Sequence, residues 1–112
     1  MTNLPPLSSR ARAADICQTM AEVRAGVDSI DRDMVALIAE RMRFMAAAAR
    51  IKPERGHVRD EARKAEVIEN VQREAEALGL DPALFAALWE TLVEASIAFE
   101  LELWDGMRQP AR

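Results

Sequence analysis

The sequence predicts an all-α protein. Among its 112 residues, 21 are alanine, 12 glutamate, 10 leucine and 6 methionine, and all four residue types favour helices. Tyrosine is absent, threonine occurs three times, and no stretch alternates β-branched or aromatic residues with polar ones as strands do. Apolar residues instead recur at spacings of three and four along three segments, which is the periodicity of amphipathic helices.

Composition and charge exclude several classes of protein. Fifteen basic and 19 acidic residues give a net charge of −4, which argues against a nucleic-acid partner. No apolar run approaches the ~18–20 residues of a membrane span. A single cysteine, Cys17, allows no intrachain disulfide, and without a signal-peptide pattern we expect a cytoplasmic protein. One histidine and one cysteine argue against a zinc site.

The first predicted helix follows a segment without periodic pattern, residues 1–18, which we interpret as a mobile N-terminal leader. Thr19 and Glu22 match a capping box at the start of the helix, and Pro53 ends it. One face carries apolar residues at helical spacing, interrupted by two cations: Val23, Val27, Ile30, Met34, Leu37, Arg41, Met45, Ala48 and Lys52.

Two further helices complete the predicted domain, residues 19–106, and residues 107–112 form a C-terminal tail. Asp60 can cap the second helix, and Gly79 occupies the position that commonly ends one. Asp81 and Pro82 are typical of a helix start, and the third helix runs to about Gly106. The second apolar face consists of Ala65, Ile68, Val71, Ala75 and Leu78, and the third of Phe85, Leu88, Leu92, Ser96, Phe99 and Leu103.

The length of the first helix predicts a homodimer. About 32 residues span roughly 48 Å, whereas a compact chain of this size has a diameter of roughly 35 Å. Because two shorter helices cannot cover the whole apolar face, we expect a partner subunit to cover it in an intertwined dimer of three-helix subunits. The alternatives are a frayed helix end or a break at Gly26.

Polar residues interrupt two of the apolar faces. Arg41 and Lys52 lie on the core face of the first helix, and Ser96 and Glu100 lie four residues apart on the third. A buried charge requires a counter-charge, so one interpretation of Arg41 is an internal salt bridge to Asp28, Asp31 or a carboxylate of the third helix such as Glu100. The corresponding interpretation of Lys52 is a solvated helix end. The functional interpretation is a polar cavity in the bundle core, where such sites are commonly built.

Two more arginines are candidates for the same cavity. Arg63 lies one turn into the second helix, and Arg24 could reach the cavity of a partner subunit in an antiparallel dimer. His57 has no neighbouring nucleophile, and glycine-rich phosphate loops are absent. A pocket with several cations, one hydroxyl and one carboxyl predicts binding of a small dianion.

An ordered set of these residues resembles the all-helical chorismate mutase family over residues 19–105. The match consists of Val23-Arg24, Ile30-Asp31, Ala39-Glu40-Arg41, Lys52, the run from Val58 to Arg63, Gly79-Leu80-Asp81, Ser96 and Glu100. The resemblance implies an intertwined dimer that converts chorismate to prephenate by a Claisen rearrangement without a cofactor. The pathway served, aromatic amino acid biosynthesis or siderophore synthesis, stays open. The stretch from Cys17 to Arg24, together with Trp104, also resembles the isochorismate pyruvate lyase branch of the family.

The resemblance also implies roles for the carboxylate-binding residues. Arg41 and Arg24 of the partner subunit would hold the two substrate carboxylates, and Arg63 would complete the cationic lining. Ser96 would lie near the ring carboxylate.

The remaining implied roles concern the ether oxygen and the ring hydroxyl. Lys52 would bind a carboxylate and approach the ether oxygen, which Glu100 would face, and Asp60 would lie near the hydroxyl. Two positions depart from many mutases, which carry Gln at Glu100 and Glu at Lys64. As a hydrogen-bond donor Glu100 must be protonated, and Lys64 leaves recognition of the C4 hydroxyl open.

Three functions therefore remain open at the level of sequence. The first is chorismate mutase, and the second is isochorismate pyruvate lyase, which forms salicylate and whose substrate carries its hydroxyl at C2. The third is a non-catalytic helical dimer that binds a partner, for which we expect a self-neutralised pocket with Arg41 paired to Glu100.

Overall fold

The structure, a computed structural model, describes residues 8–109. This part of the chain contains four α-helices and no strand, which confirms the all-α prediction. The helices are α1 (Ser9–Asp15), α2 (Met20–Ile51), α3 (Glu61–Ala77) and α4 (Pro82–Met107), with one turn of 3₁₀ helix at Arg55–His57. The remaining parts of the predicted leader and tail, residues 1–7 and 110–112, lie outside the described residues. The described residues divide into two compact units, and the division lies between Glu40 and Arg41.

Helix α1 was not predicted from the sequence and adds a fourth helix to the three expected. Its seven residues are too few to display an apolar periodicity, which is why the sequence predicts only a mobile leader there. Ser8 caps the helix by accepting a hydrogen bond from the backbone N–H of Ala11 at 3.1 Å. Arg10 ties α1 to the first unit's part of α2 through Asp33 Oδ2 at 2.6 Å.

Helix α2 begins and ends within one residue of its predicted limits. The Glu22 N–H donates to Thr19 Oγ1 at 3.2 Å, while the Thr19 hydroxyl donates to Glu22 Oε1 at 3.1 Å. The helix continues through Gly26, so the break considered there does not occur. In the first unit its apolar residues are exposed, with Val23 at 38%, Val27 at 49% and Leu37 at 63%.

The ends of α3 and α4 follow their sequence signals. Asp60 accepts from the Arg63 N–H at 3.0 Å, and Asp81 accepts from the Ala83 N–H at 3.0 Å, so both carboxylates cap a helix start. Gly79 has a φ of 74°, and Leu80 N donates to Ala75 O at 2.9 Å. This hydrogen bond, made possible by the left-handed glycine, closes α3 in a Schellman motif.

The second unit has a small core between α3, α4 and the loop after α2. Val58 from the loop is buried with Val93 and Ile97 of α4, and Val67, Trp89, Leu101 and Trp104 pack around them. Two polar side chains of α4 are buried beside this core, Ser96 and Glu100. Among residues 8–109, no helix combines the length and hydropathy needed to cross a membrane.

The left-handed conformation at Gly79 predicts a stability difference between two glycine variants. Gly79→Ala is expected to lower the free energy of unfolding by about 1 kcal/mol, because a Cβ disfavours positive φ. Gly56→Ala is the matched control, since Gly56 has no positive φ and a Cβ there meets nothing within 4 Å. Urea denaturation measures both, and an equal change in the two variants would contradict the role of Gly79.

Candidate functional site

The second unit contains a cavity of about 310 Å³ into which the polar residues of its helices converge. It is lined by Arg41, Met45, Ala48, Lys52, Val58, Asp60, Arg63, Lys64, Val67, Val93, Ser96, Ile97 and Glu100. Six of the seven residues predicted for the site thus meet in one cavity. The seventh, Arg24, is an exposed residue of the first unit.

Arg41 enters the cavity from α2 without a carboxylate partner. Its Nη1 donates to Ser96 Oγ at 2.6 Å, and the Ser96 hydroxyl donates to the backbone carbonyl of Leu92 at 2.7 Å. No acidic side chain among residues 8–109 lies within ion-pair distance of Arg41. Desolvation, and secondly the positive charge of Arg63, lowers the pKa of Arg41, which still remains a cation at neutral pH. Arg41 is therefore available to an anion.

Lys52 and Glu100 form the ion pair of the cavity. Lys52 Nζ lies 2.8 Å from Glu100 Oε2 and 3.4 Å from the backbone carbonyl of Val58. The Glu100 side chain is only 5% exposed and that of Lys52 29% exposed. The internal salt bridge considered from the sequence thus involves Lys52, and its pairing of Arg41 with Glu100 was wrong. A solvated helix end, the simplest interpretation of Lys52, was wrong as well.

Asp60 and Arg63 line the opening of the cavity at the start of α3. The Asp60 carboxylate is used as the helix cap, so its position is set by the backbone of α3. The Arg63 guanidinium forms an ion pair with Glu66 on the same helix. Both side chains are more exposed than Ser96 and Glu100, which lie at the buried wall.

Lys64 also lines the cavity, but two carboxylates of α4 neutralise its charge. Its Nζ lies 2.7 Å from Glu90 Oε1 and 3.0 Å from Glu94 Oε2, and these hydrogen bonds raise the pKa of Lys64. The Glu94 carboxylate in turn accepts hydrogen bonds from Arg59 Nη2 at 2.8 Å and from Arg59 Nη1 at 3.0 Å. Hydrogen bonds from Arg59 and then Lys64 lower the pKa of Glu94 to about 2.

The lining combines one unpaired cation with apolar walls. Four cationic and two acidic side chains line the cavity, and among the described residues Arg41 is the lining cation without a carboxylate partner. The walls between them are apolar, formed by residues such as Val67, Val93 and Ile97. This arrangement suits a small organic anion with an apolar body.

Sequence reasoning missed several contributors to the site. The Val58 carbonyl, which accepts from Lys52, lies in the loop between α2 and α3, where a valine among charged residues is a signal of burial. Trp104 Nε1 donates to the backbone carbonyl of Lys52 at 3.0 Å, a contact that no sequence pattern announces. Among the described residues, no group of three or more His, Cys, Asp or Glu side chains could hold a metal ion.

Comparison with known proteins identifies the family. The chain is 30% identical over 95 residues to the isochorismate pyruvate lyase of Pseudomonas aeruginosa, an alignment that covers 85% of this chain and 94% of that protein. The family model described as chorismate mutase type II matches residues 23–101, which include all seven residues predicted for the site. The chain belongs to the type II chorismate mutase family.

Proposed function

We propose that the protein is a chorismate mutase, which rearranges chorismate to prephenate. The observation that carries the proposal is the cavity in which Arg41, without a carboxylate partner, and the Lys52–Glu100 pair face the same space. The unpaired guanidinium of Arg41 is suited to one of the two carboxylates of the substrate. The reaction breaks one C–O bond and forms one C–C bond within a single molecule, so it requires neither a redox partner nor an external proton.

Substrate positioning is the first task of the site. Chorismate reacts from a compact conformer, and holding that conformer supplies much of the catalysis. We assign one substrate carboxylate to Arg41 and the second to Arg24 of the partner subunit. Ser96, already bound to Arg41, then lies beside the ring carboxylate, and Asp60 lies at the opening near the ring hydroxyl.

Charge stabilisation is the second task. The breaking C–O bond places negative charge on the ether oxygen, and a fixed cation or donor directed there stabilises the transition state. The Lys52 ammonium, held by Glu100, supplies the cation. Glu100 supplies a hydrogen bond only when it is protonated, because a carboxylate would repel the ether oxygen.

The exposed apolar face of α2 supports the proposed intertwined homodimer. In the first unit, Val27, Ile30, Met34 and Leu37 are between 40% and 63% exposed, and burying large apolar side chains contributes about 1.5–3 kcal/mol each. A second copy of the chain would cover these residues and bring its own Arg24 to the site. The site would then be shared between subunits.

Isochorismate pyruvate lyase is the second candidate, and two observations favour it. The Pseudomonas aeruginosa relative carries that name and aligns over 94% of its length. Lys64, at a position where many mutases carry Glu, lines the cavity with its charge neutralised by Glu90 and Glu94. The third possibility, a non-catalytic dimer, loses its main support because Arg41 is not paired with Glu100.

Incubation with each substrate separates these functions. We expect prephenate from chorismate with a kcat/KM at least about tenfold above that for salicylate from isochorismate, a difference of about 1.4 kcal/mol in activation free energy. Arg41→Gln, which keeps polarity but removes the cation, is expected to lose most of the activity. A reversed preference would establish the lyase, and absence of both products would establish a non-catalytic protein.

A shared site predicts complementation between two inactive variants. Arg24→Ala and Arg41→Ala proteins are each expected to be nearly inactive, but a heterodimer contains one site with both arginines. Random exchange of equal amounts makes half of the dimers mixed, so we expect about a quarter of the parent activity. Light scattering and a tagged subunit verify dimerisation and exchange. No recovery after demonstrated exchange would contradict the shared site.

Glu100 predicts the outcome of an isosteric substitution. Glu100→Gln keeps the shape of the side chain and adds an N–H that can donate to the ether oxygen, while it removes the carboxylate that pairs with Lys52. We expect the kcat of the mutase reaction to match or exceed that of the parent. The measurement is kcat and kcat/KM for both proteins under the same conditions. A large loss of kcat in the variant would mean that the carboxylate is needed to hold Lys52.

A further inference from the structure

The backbone carbonyl of Lys52, the first residue after α2, accepts no hydrogen bond from the backbone of the described residues. The Lys52 N–H still donates to Ala48 O at 2.9 Å, as in a helix. The next residue, Pro53, has no N–H, and no backbone N–H among residues 8–109 donates to Lys52 O. Two side chains donate instead, Trp104 of α4 through Nε1 at 3.0 Å and Arg108, the residue after α4, through Nη2 at 2.7 Å.

The two donor side chains, Trp104 and Arg108, also contact each other. The Arg108 guanidinium lies 4.1 Å from the centroid of the Trp104 ring, a cation–π contact, and its Nη1 donates to the Trp104 carbonyl at 3.3 Å. The Trp104 ring also packs against the buried cluster of Val58, Val93 and Ile97. Its indole N–H is therefore held in place by the core of the second unit.

Helix α4 thus binds both the side-chain ammonium and the backbone carbonyl of Lys52. Glu100 binds the ammonium, and Trp104, one helical turn later on the same face, binds the backbone carbonyl. The loop that follows is tied to the same helix, because Asp105 accepts from Arg55 Nε at 2.9 Å and from Nη2 at 3.3 Å. Fixing the backbone limits the positions that the long lysine side chain can reach.

We propose that Trp104, supported by Arg108, is a positioning residue that sets the location of the Lys52 ammonium in the cavity. Trp104 itself does not touch the substrate and acts only through Lys52. The effect on turnover rests on the proposed function, because it requires Lys52 to stabilise the transition state. The effect on the ammonium does not, since it follows from the hydrogen bond alone.

The kinetic test compares the two tryptophans of the chain. Trp104→Phe keeps an aromatic ring but removes the N–H, and displacement of a catalytic group by about 1 Å can cost 10²-fold in rate. We expect kcat for the preferred substrate to fall about tenfold, with KM within about twofold. Trp89→Phe is the matched control, because Trp89 packs on the same cluster and donates no hydrogen bond to the described residues. It is expected to leave kcat unchanged.

A double-variant cycle separates positioning from general damage to the structure. In a Lys52→Ala background there is no ammonium to position, so Trp104→Phe is expected to cause no further loss of kcat/KM. If Trp104→Phe does not fold, Arg108→Met replaces it in the cycle, since Arg108 is exposed and donates to the same carbonyl. Its expected loss is smaller because the indole N–H remains.

A spectroscopic measurement tests the inference even if the protein shows no enzymatic activity. The chain has only two lysines, so protein labelled with a nitrogen isotope at the lysine Nζ gives two ammonium signals in an NMR spectrum. A Lys64→Arg variant shows which signal belongs to which lysine. In Trp104→Phe we expect faster exchange of the Lys52 ammonium protons with water, while Lys64 remains unchanged as an internal control. If the parent converts neither substrate, the proposed function fails and this measurement alone tests the inference.

Three results would overturn the inference. They are an unchanged Lys52 signal in Trp104→Phe, a loss confined to KM, and a loss of equal size in the Lys52→Ala background. The last result would mean that Trp104 supports the fold without acting through Lys52.

Discussion

The ion pair between Lys52 and Glu100 is the contact on which the second unit depends most. Glu100 is a carboxylate on the buried face of α4, and an unpaired charge at such a position would be strongly unfavourable. Pairing with Lys52 makes burial tolerable and joins the first residue after α2 to the C-terminal half of α4 at 2.8 Å. The Val58 carbonyl takes part in the same contact, so the loop that closes the cavity is attached to the pair. Local folding and the chemistry of the site therefore share one interaction.

The other polar residues of the cavity divide into neutralised and available charges. Lys64, Arg59 and Glu94 satisfy one another at the junction of α3 and α4. Arg41, by contrast, is held only by the Ser96 hydroxyl. This division leaves Arg41 as the lining cation that has no carboxylate partner among the described residues. A ligand carboxylate there completes the charge balance without displacing an existing ion pair of Arg41.

Sequence reasoning succeeded where the physical cause is local and failed where it is distant. Asp60, Gly79 and Asp81 marked helix ends correctly because caps depend on neighbouring residues. The periodicity that placed Arg41, Lys52, Ser96 and Glu100 on core faces also brought them to one cavity. Periodicity does not determine which partner each charge chooses, because Lys52 meets Glu100 only after α2 and α4 have packed. For the same reason the hydrogen bond from Trp104 to the Lys52 carbonyl could not be predicted from the sequence. Helix α1 was missed because seven residues are too few to show a periodicity.

The unpaired state of Arg41 links the fold to the composition of the solution. Desolvating this guanidinium without a carboxylate costs free energy in the folded protein, and an anion that binds there returns part of it. Any small dianion that binds the folded but not the unfolded chain then raises apparent stability by mass action. Phosphate or sulfate in a buffer would act as a stabilising solute and at the same time as a competitor of the proposed substrate. The unpaired guanidinium of Arg41 thus lowers the stability of the ligand-free protein and is at the same time the group that can bind an anion.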